Sequence, residues 1–156
     1  MSFLLKTQDE SILFSGDIIL GTPSTVVEDL PTYIDTLKKL RDTPSFRFDK
    51  VCIPHSVTLD FDPNEPDPVI LDGPQKLEAY IKYREDRLEQ LIQLVKKLGS
   101  DLDFVSRDDL YEGLYGERNL EGKIKEMAYN NLDQQIDYFI KKEQIQKVDD
   151  QLYRYI

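Results

Sequence analysis

The feature that most restricts the fold is the succession of an apolar strand, an amphipathic helix and a second apolar strand within the first 54 residues. The segment SILFSGDIIL, residues 11–20, predicts a strand, and FDKVCIP, residues 48–54, predicts a short buried strand that Pro54 ends. Between them, residues 26–42 carry apolar side chains at helical spacing. If the two strands are parallel neighbours, their carboxyl ends meet at one edge of the sheet, where α/β proteins place their sites.

Further elements complete a first region over residues 1–74 and begin a second region over residues 75–156. Residues 3–6 are expected to pair with residues 11–20 as a hairpin, and VILDGP, residues 69–74, predicts a strand followed by a turn. The intervening residues 55–68 are acidic and rich in proline, which indicates a loop. From residue 75 to about residue 98 the apolar spacing predicts a long amphipathic helix, with Gly99 as its C-cap.

The second region continues with two more helices and a hairpin. Ser106 is expected to cap a short helix, residues 120–142 predict a longer one, and the end of the chain alternates in polarity around Asp149 and Asp150. Three helices followed by a two-stranded wing is the order of a winged-helix domain. The predicted fold class is therefore an α/β region followed by a mostly α-helical winged-helix domain.

Charge and composition restrict the partners and the compartment. The net charge is −10, from 20 basic and 30 acidic residues, and neither region has the basic excess that drives nucleic-acid binding. No apolar run approaches the roughly 18 residues that a membrane span needs, and a secretory leader is not visible. The single cysteine, Cys52, is predicted to be buried and suits a reducing compartment. We expect a cytoplasmic or mitochondrial-matrix protein that is neither secreted nor bound to a membrane.

Two residues able to bind a metal follow the two apolar strands. Asp17 closes the apolar part of the first strand, residues 11–14, and His55, the only histidine in the chain, closes the second apolar strand, residues 51–53. A carboxylate and an imidazole at one sheet edge could hold a divalent metal ion that activates water. Both residues also have structural explanations, because an Asp after a Gly commonly forms a turn and a lone histidine is often structural. The sequence pattern leaves these alternatives open.

The whole chain resembles the second half of a metallo-β-lactamase-fold hydrolase. The segments that carry the likeness are LFSGDIILG with the following VVEDLPTYIDTLKKL, Pro54-His55, PVILDGPQKLEAYIKYREDRLEQ, and EMAYNNLDQQIDYFIKKEQI, in that order. The similarity is greatest to the β-lactamase-like protein 2 group, which also resembles glyoxalase II and fungal polyketide thioesterases. The resemblance implies an αββα sandwich, two zinc ions, Asp17 as the ligand that bridges them and His55 as a further ligand.

The sequence also departs from the family pattern. The metal-binding segment H-x-H-x-D-H has no counterpart, the histidine that usually precedes the SGD strand is missing, and Ser56 replaces a glycine after His55. Only Asp17 and His55 remain as zinc ligands, which leads us to expect a chain that is inactive alone. The missing amino-terminal half or another protein chain is the expected partner. A sandwich cut in this way should leave one apolar sheet face uncovered.

Two alternatives do not require catalysis by this chain. The first is a non-catalytic scaffold or binding module derived from the hydrolase fold, which the altered histidine loop and the acidic insertion favour. The second is RNA binding through the winged helix, since some relatives cleave single-stranded RNA. The helix over residues 120–142 carries four lysines with interleaved aromatic residues, although a solvated helix face explains the same pattern. The lysines are Lys123, Lys125, Lys141 and Lys142.

Overall fold

The computed structural model describes residues 2–20, 27–53, 69–100 and 102–156. The chain divides into two compact units, which we describe separately. Unit 1 comprises Met1–Thr25 with Thr32–Arg84, and unit 2 comprises Val26–Pro31 with Glu85–Ile156. Among the described residues, no helix is both long enough and apolar enough to cross a membrane. His55 and the predicted acidic loop lie outside the described residues.

Unit 1 contains a four-stranded mixed sheet with the order β1-β2-β3-β4. The strands are β1 (Phe3–Lys6), β2 (Ser11–Phe14), β3 (Lys50–Ile53) and β4 (Val69–Asp72). Strands β2 and β3 are parallel, with Phe14 opposite Cys52, and the other two pairs are antiparallel. The strand that the sequence extends to residue 20 ends at Phe14, because Gly16 adopts a positive φ of 53° and turns the chain into a short 3₁₀ helix.

Two helices contribute to the core of unit 1. Helix α1 spans Leu30–Asp42 and helix α2 spans Gly73–Gly99. The prediction that α1 begins at residue 26 is wrong, because the helix starts beside Pro31, whose fixed φ and missing amide hydrogen suit a first turn. The buried core lies on one side of the sheet. Its members are Leu13, Ile19, Leu37, Phe48, Val51, Leu77, Tyr80 and Ile81.

The other side of the unit 1 sheet is partly open to solvent. Strand register places Phe3 beside Phe14 and Leu5 beside Ile12 on this side, while Leu4 and Leu13 point into the core. The exposed fractions of the side chains are 63% for Phe3, 49% for Leu5 and 41% for Phe14. We call the side formed by Phe3, Leu5, Ile12 and Phe14 the outward face. Part of this face is therefore apolar and exposed, although Cys52, the neighbour of Phe14 on β3, is buried.

Unit 2 combines helices with a three-stranded antiparallel sheet of order β5-β7-β6. After α2 come β5 (Val105–Ser106), α3 (Arg107–Tyr115), α4 (Gly122–Lys141), β6 (Ile145–Asp149) and β7 (Leu152–Tyr155). Ser106 caps α3 as predicted: its hydroxyl accepts from the Asp109 amide while the Asp109 carboxylate accepts from the Ser106 amide. The predicted terminal hairpin is also present.

Helix α4 buries only part of its apolar stripe. The helix begins at Gly122 rather than at residue 120, and its apolar stripe is buried only from Ala128 onward, through Leu132 and Ile136. Ile124 and Met127 continue the same apolar spacing but have exposed fractions of 63% and 39%. Helical periodicity identifies an apolar face but cannot tell how much of its length another element covers.

Candidate functional site

The candidate site lies at the sheet edge where β2 and β3 end. Because these strands are parallel, their carboxyl ends meet at the same edge, as the sequence predicts. The Ser15 amide donates a hydrogen bond to the Cys52 carbonyl, with 3.1 Å between nitrogen and oxygen. The end of β2 is therefore tied to β3 one residue before β3 finishes at Ile53. Cys52 is buried, as expected.

Asp17 occupies the turn that begins at this edge. The positive φ of Gly16 directs the chain out of the strand, and Asp17 follows within the 3₁₀ helix Gly16–Ile18. Its side chain is exposed. The backbone on both sides is anchored, since Ser15 and Ile19 are fully buried. The turn therefore carries an exposed Asp17 side chain on a backbone whose neighbouring residues, Ser15 and Ile19, are buried.

Three hydroxyl groups hold the backbone that follows Asp17. The Tyr33 hydroxyl donates to the Ile18 carbonyl at 2.6 Å, and the Ser15 hydroxyl donates to the Ile19 carbonyl at 2.7 Å. The Tyr80 hydroxyl both donates to the Leu20 carbonyl and accepts from the Leu20 amide, at 2.7 and 2.8 Å. Sequence reasoning placed the two tyrosines only in the apolar stripes of their helices. No signal in the sequence assigns their hydroxyls to this turn.

The second predicted ligand, His55, lies outside the described residues, two positions after the end of β3. The structure therefore brings together the strand ends that lead to Asp17 and His55. Among the described residues, no group of three or more His, Cys, Asp or Glu side chains could hold a metal ion. Catalytic zinc needs about three protein ligands. The described residues by themselves do not fit a zinc site, and we derive no reaction step through a metal.

The sequence of this chain is similar to those of several known proteins. The chain is 35% identical over 95 residues to a β-lactamase-like protein 2 homolog of Caenorhabditis elegans, covering 61% of this chain and 28% of the relative. It is 32% identical over 97 residues to the lactamase-like protein adaB of Aspergillus niger, covering 62% and 26%. The chain is therefore similar in sequence to proteins named β-lactamase-like and lactamase-like. The resemblance found in the sequence is confirmed.

The fold comparison agrees with the sequence relatives. A crystal structure of a β-lactamase domain protein from Burkholderia ambifaria superposes with a TM-score of 0.67 at 13% identity, covering 99% of this chain and 50% of that one. A scan against protein-family models gives no match. The alignments span only about a quarter of the curated relatives' length, 28% and 26%. The fold is therefore α/β and of β-lactamase-domain type, shared with half of the solved chain.

Proposed function

We propose that this chain is the carboxyl-terminal portion of a zinc-dependent metallo-β-lactamase-like hydrolase that cleaves an ester, a thioester or an RNA phosphodiester. In this proposal Asp17 and His55 would be two of the zinc ligands, and the bound zinc would activate water for hydrolysis. The observation that carries the proposal is the exposed Asp17 carboxylate, presented at the sheet edge where β3 leads into Pro54 and His55. Ordinary strand termination would not require a carboxylate at this position.

The remaining ligands would come from the other part of the fold. Two ligands are fewer than catalytic zinc requires, so this chain alone is expected to be inactive. The outward face supports the same conclusion, because Phe3, Leu5 and Phe14 expose adjacent apolar surface that a second sheet would bury. We propose that the amino-terminal half of the hydrolase fold, joined to this chain or supplied by another polypeptide, covers this face.

Zinc titration of the purified chain tests the role of the two ligands. We expect weak binding, monitored by calorimetry, and no hydrolysis by the chain alone. Asp17→Asn and His55→Gln should each lower the zinc affinity about tenfold or more, because each removes a direct ligand. Asp9→Asn is the matched control, since Asp9 is an exposed carboxylate in the turn between β1 and β2. Equal zinc affinity in all four proteins would contradict the proposal.

Sedimentation equilibrium tests what covers the outward face. An exposed apolar face without its partner should give weak self-association that does not saturate at a fixed stoichiometry, and Phe14→Ser should reduce it. Thr36→Ser, at a half-buried position of α1, provides a control that leaves the outward face intact. A discrete dimer that Phe14→Ser dissociates would identify a second copy of the chain as the occupant and contradict the proposed complement.

A non-catalytic binding module is the second candidate, and unit 2 supports it. The order of α2, β5, α3, α4, β6 and β7, with β7 central in the sheet, is that of a winged-helix domain, and we propose this assignment for the second region. Unit 2 contains 11 basic and 18 acidic residues, which disfavours RNA as its ligand relative to protein. Salt-sensitive retention on single-stranded RNA would restore the RNA alternative, whereas no retention at low salt would exclude it.

A further inference from the structure

The hydroxyl of Tyr80 is placed where the turn that carries Asp17 needs a hydrogen-bonding partner. Tyr80 lies on α2 and is 1% exposed, so its ring is fixed in the core of unit 1. Its hydroxyl forms two hydrogen bonds with a single residue, Leu20, one to the carbonyl and one from the amide. A phenol held by a packed ring is a rigid partner, because the ring has few alternative rotamers in a dense core.

Tyr33 and Ser15 extend this arrangement toward Asp17. Tyr33, on α1, binds the Ile18 carbonyl, and Ser15 binds the Ile19 carbonyl from within the turn. Three consecutive residues after Asp17 are therefore each held by a different side-chain hydroxyl. All of these contacts lie within unit 1.

The turn depends on these hydroxyls because it lies outside the sheet. Residues 15–20 follow the last residue of β2, so their carbonyls have no partners in the strand ladder. The bond within the turn from the Ile18 amide to the Ser15 carbonyl is long, at 3.3 Å. Burial of Ile19 nevertheless removes this backbone from water, and buried carbonyl and amide groups require partners. The tyrosine and serine hydroxyls supply them.

We infer that Tyr80 is a positioning residue for Asp17: it fixes the turn through Leu20, so that the core of unit 1 sets the place of the carboxylate before any metal or complementary half arrives. The functional meaning of this inference rests on the proposed function of Asp17. Tyr33 acts in the same way on the nearer residue, Ile18. Neither tyrosine is assigned any direct contact with a substrate or a metal ion.

Amide hydrogen exchange followed by NMR tests the inference on the whole chain. Tyr80→Phe removes the hydroxyl but keeps the ring, and Tyr33→Phe is the companion variant. Tyr83→Phe is the matched control, because Tyr83 lies on the same helix with its side chain 40% exposed. In Tyr80→Phe we expect the Leu20 amide to exchange about tenfold faster than in the control, because the hydroxyl that accepts its hydrogen bond is removed. Amides of Val51 and Cys52 in β3 should change much less.

A spectroscopic signature separates positioning from a general loss of stability. The carboxyl carbon resonance of Asp17 should shift in Tyr80→Phe and stay in place in Tyr83→Phe. Both spectra are recorded at a temperature well below the unfolding midpoint of either variant. Uniform acceleration of exchange across unit 1 with an unmoved Asp17 resonance would overturn the inference. If Tyr80→Phe does not fold, Tyr33→Phe replaces it as the test. In that variant we expect faster exchange of the turn amides and a shifted Asp17 resonance. No change in either measurement would contradict the inference.

The same measurements distinguish failure of the proposed metal role of Asp17 from failure of the proposed positioning role of Tyr80. If zinc affinity proves insensitive to Asp17→Asn while Tyr80→Phe loosens the turn, the metal role fails and the positioning of the turn stands. If Asp17→Asn abolishes zinc binding while Tyr80→Phe changes neither the exchange rates nor the Asp17 resonance, the metal role stands and the positioning inference is wrong.

Discussion

The two units differ in how they bury the apolar surface of their sheets. In unit 1 the core occupies one side of a four-stranded sheet, and the outward face leaves Phe3, Leu5 and Phe14 side by side in solvent. In unit 2 the small sheet contributes Val105, Ile145 and Tyr153 to a buried core. The exposed large apolar residues described in unit 2 lie on separate segments: Leu102 and Phe104 before β5, Ile124 and Met127 on α4, and Val148, Tyr155 and Ile156 in or after the hairpin.

Polar contacts show a second difference between the units. In unit 2 the guanidinium of Arg107 donates two hydrogen bonds to the Asp133 carboxylate and stacks on Tyr129, which stacks in turn on Tyr111 with 4.0 Å between ring centroids. This cluster joins α3 to α4. In unit 1 the hydroxyl contacts instead hold a turn at the sheet edge. The comparison indicates that polar contacts join two helices in unit 2, whereas in unit 1 they hold a turn that carries the exposed residue Asp17.

Truncation in the core of unit 2 should have the largest effect. Leu132 is fully buried on α4, so Leu132→Ala should lower the free energy of unfolding by about 2–5 kcal/mol through lost burial and a residual cavity. The matched variant Ile124→Ala removes a similar side chain from an exposed position of the same helix, and a change within about 0.5 kcal/mol is expected. Urea unfolding measures both. Equal losses would show that the start of α4 is covered in solution.

The junction between β4 and α2 tests how tightly the covered side of unit 1 is packed. A Cβ at Gly73 would lie 2.7 Å from a ring carbon of Phe48 and 3.1 Å from the Lys50 backbone. Gly73→Ala should therefore destabilise the protein by about 1–3 kcal/mol. Gly99, at the other end of α2, has open space around its Cα, so Gly99→Ala should change stability by less than about 0.5 kcal/mol. Thermal unfolding of both variants provides the test, and a neutral Gly73→Ala would disprove tight packing there.

The Arg107 cluster allows a test of the polar packing in unit 2. Arg107→Lys retains the positive charge but loses the paired hydrogen bonds to Asp133 and the planar stack on Tyr129. We expect a loss of about 1–2 kcal/mol, less than for a buried ion pair because both side chains are partly exposed. Arg118→Lys, at an exposed position before α4, is the control. If urea unfolding finds the two variants equal, the cluster does not stabilise unit 2.

The smallest effect should come from the strand connection at Asp49 in unit 1. Hydrogen bonds from the Ser11 hydroxyl and amide, both 2.8 Å, lower the pKa of the Asp49 carboxyl. A lowered pKa in the folded state stabilises the protein at neutral pH, and this contribution disappears as the pH falls through the folded-state pKa, below the ordinary value of about 3.9. Asp49→Asn should therefore be less stable than wild type at pH 7, with a difference that shrinks on acidification. A difference independent of pH between 7 and 2.5 would refute this linkage, and Asp9→Asn serves as the control.

Much of the fold followed from the sequence because its signals are local. Apolar spacing identified the buried residues of α2, from Leu77 to Val95, and Ser106 indicated a helix start. The strand–helix–strand order is compatible with parallel neighbours, and the structure shows that β2 and β3 are parallel. Each of these signals depends on residues a few positions apart or on a simple order of elements.

The candidate site could be predicted only in part. Asp17 was recognised from its place after an apolar strand and from the family resemblance, and its strand does end beside the strand that precedes His55. The hydroxyl contacts could not be predicted, since Tyr33 and Tyr80 lie 15 and 60 residues from the carbonyls they bind. An apolar stripe places the ring of a tyrosine in a core but does not say where its hydroxyl points.

The sequence by itself therefore determined most of the helices and strands, their order along the chain and the position of Asp17 after an apolar strand segment. The tertiary structure decided where β2 stops, which part of the α4 stripe is covered, which side of the sheet remains open and which hydroxyls hold the Asp17 turn. The physical reason is the range of the interactions. Helix periodicity and capping act between near neighbours, whereas burial and the hydrogen bonds of turns outside the ladder depend on groups that only folding brings together.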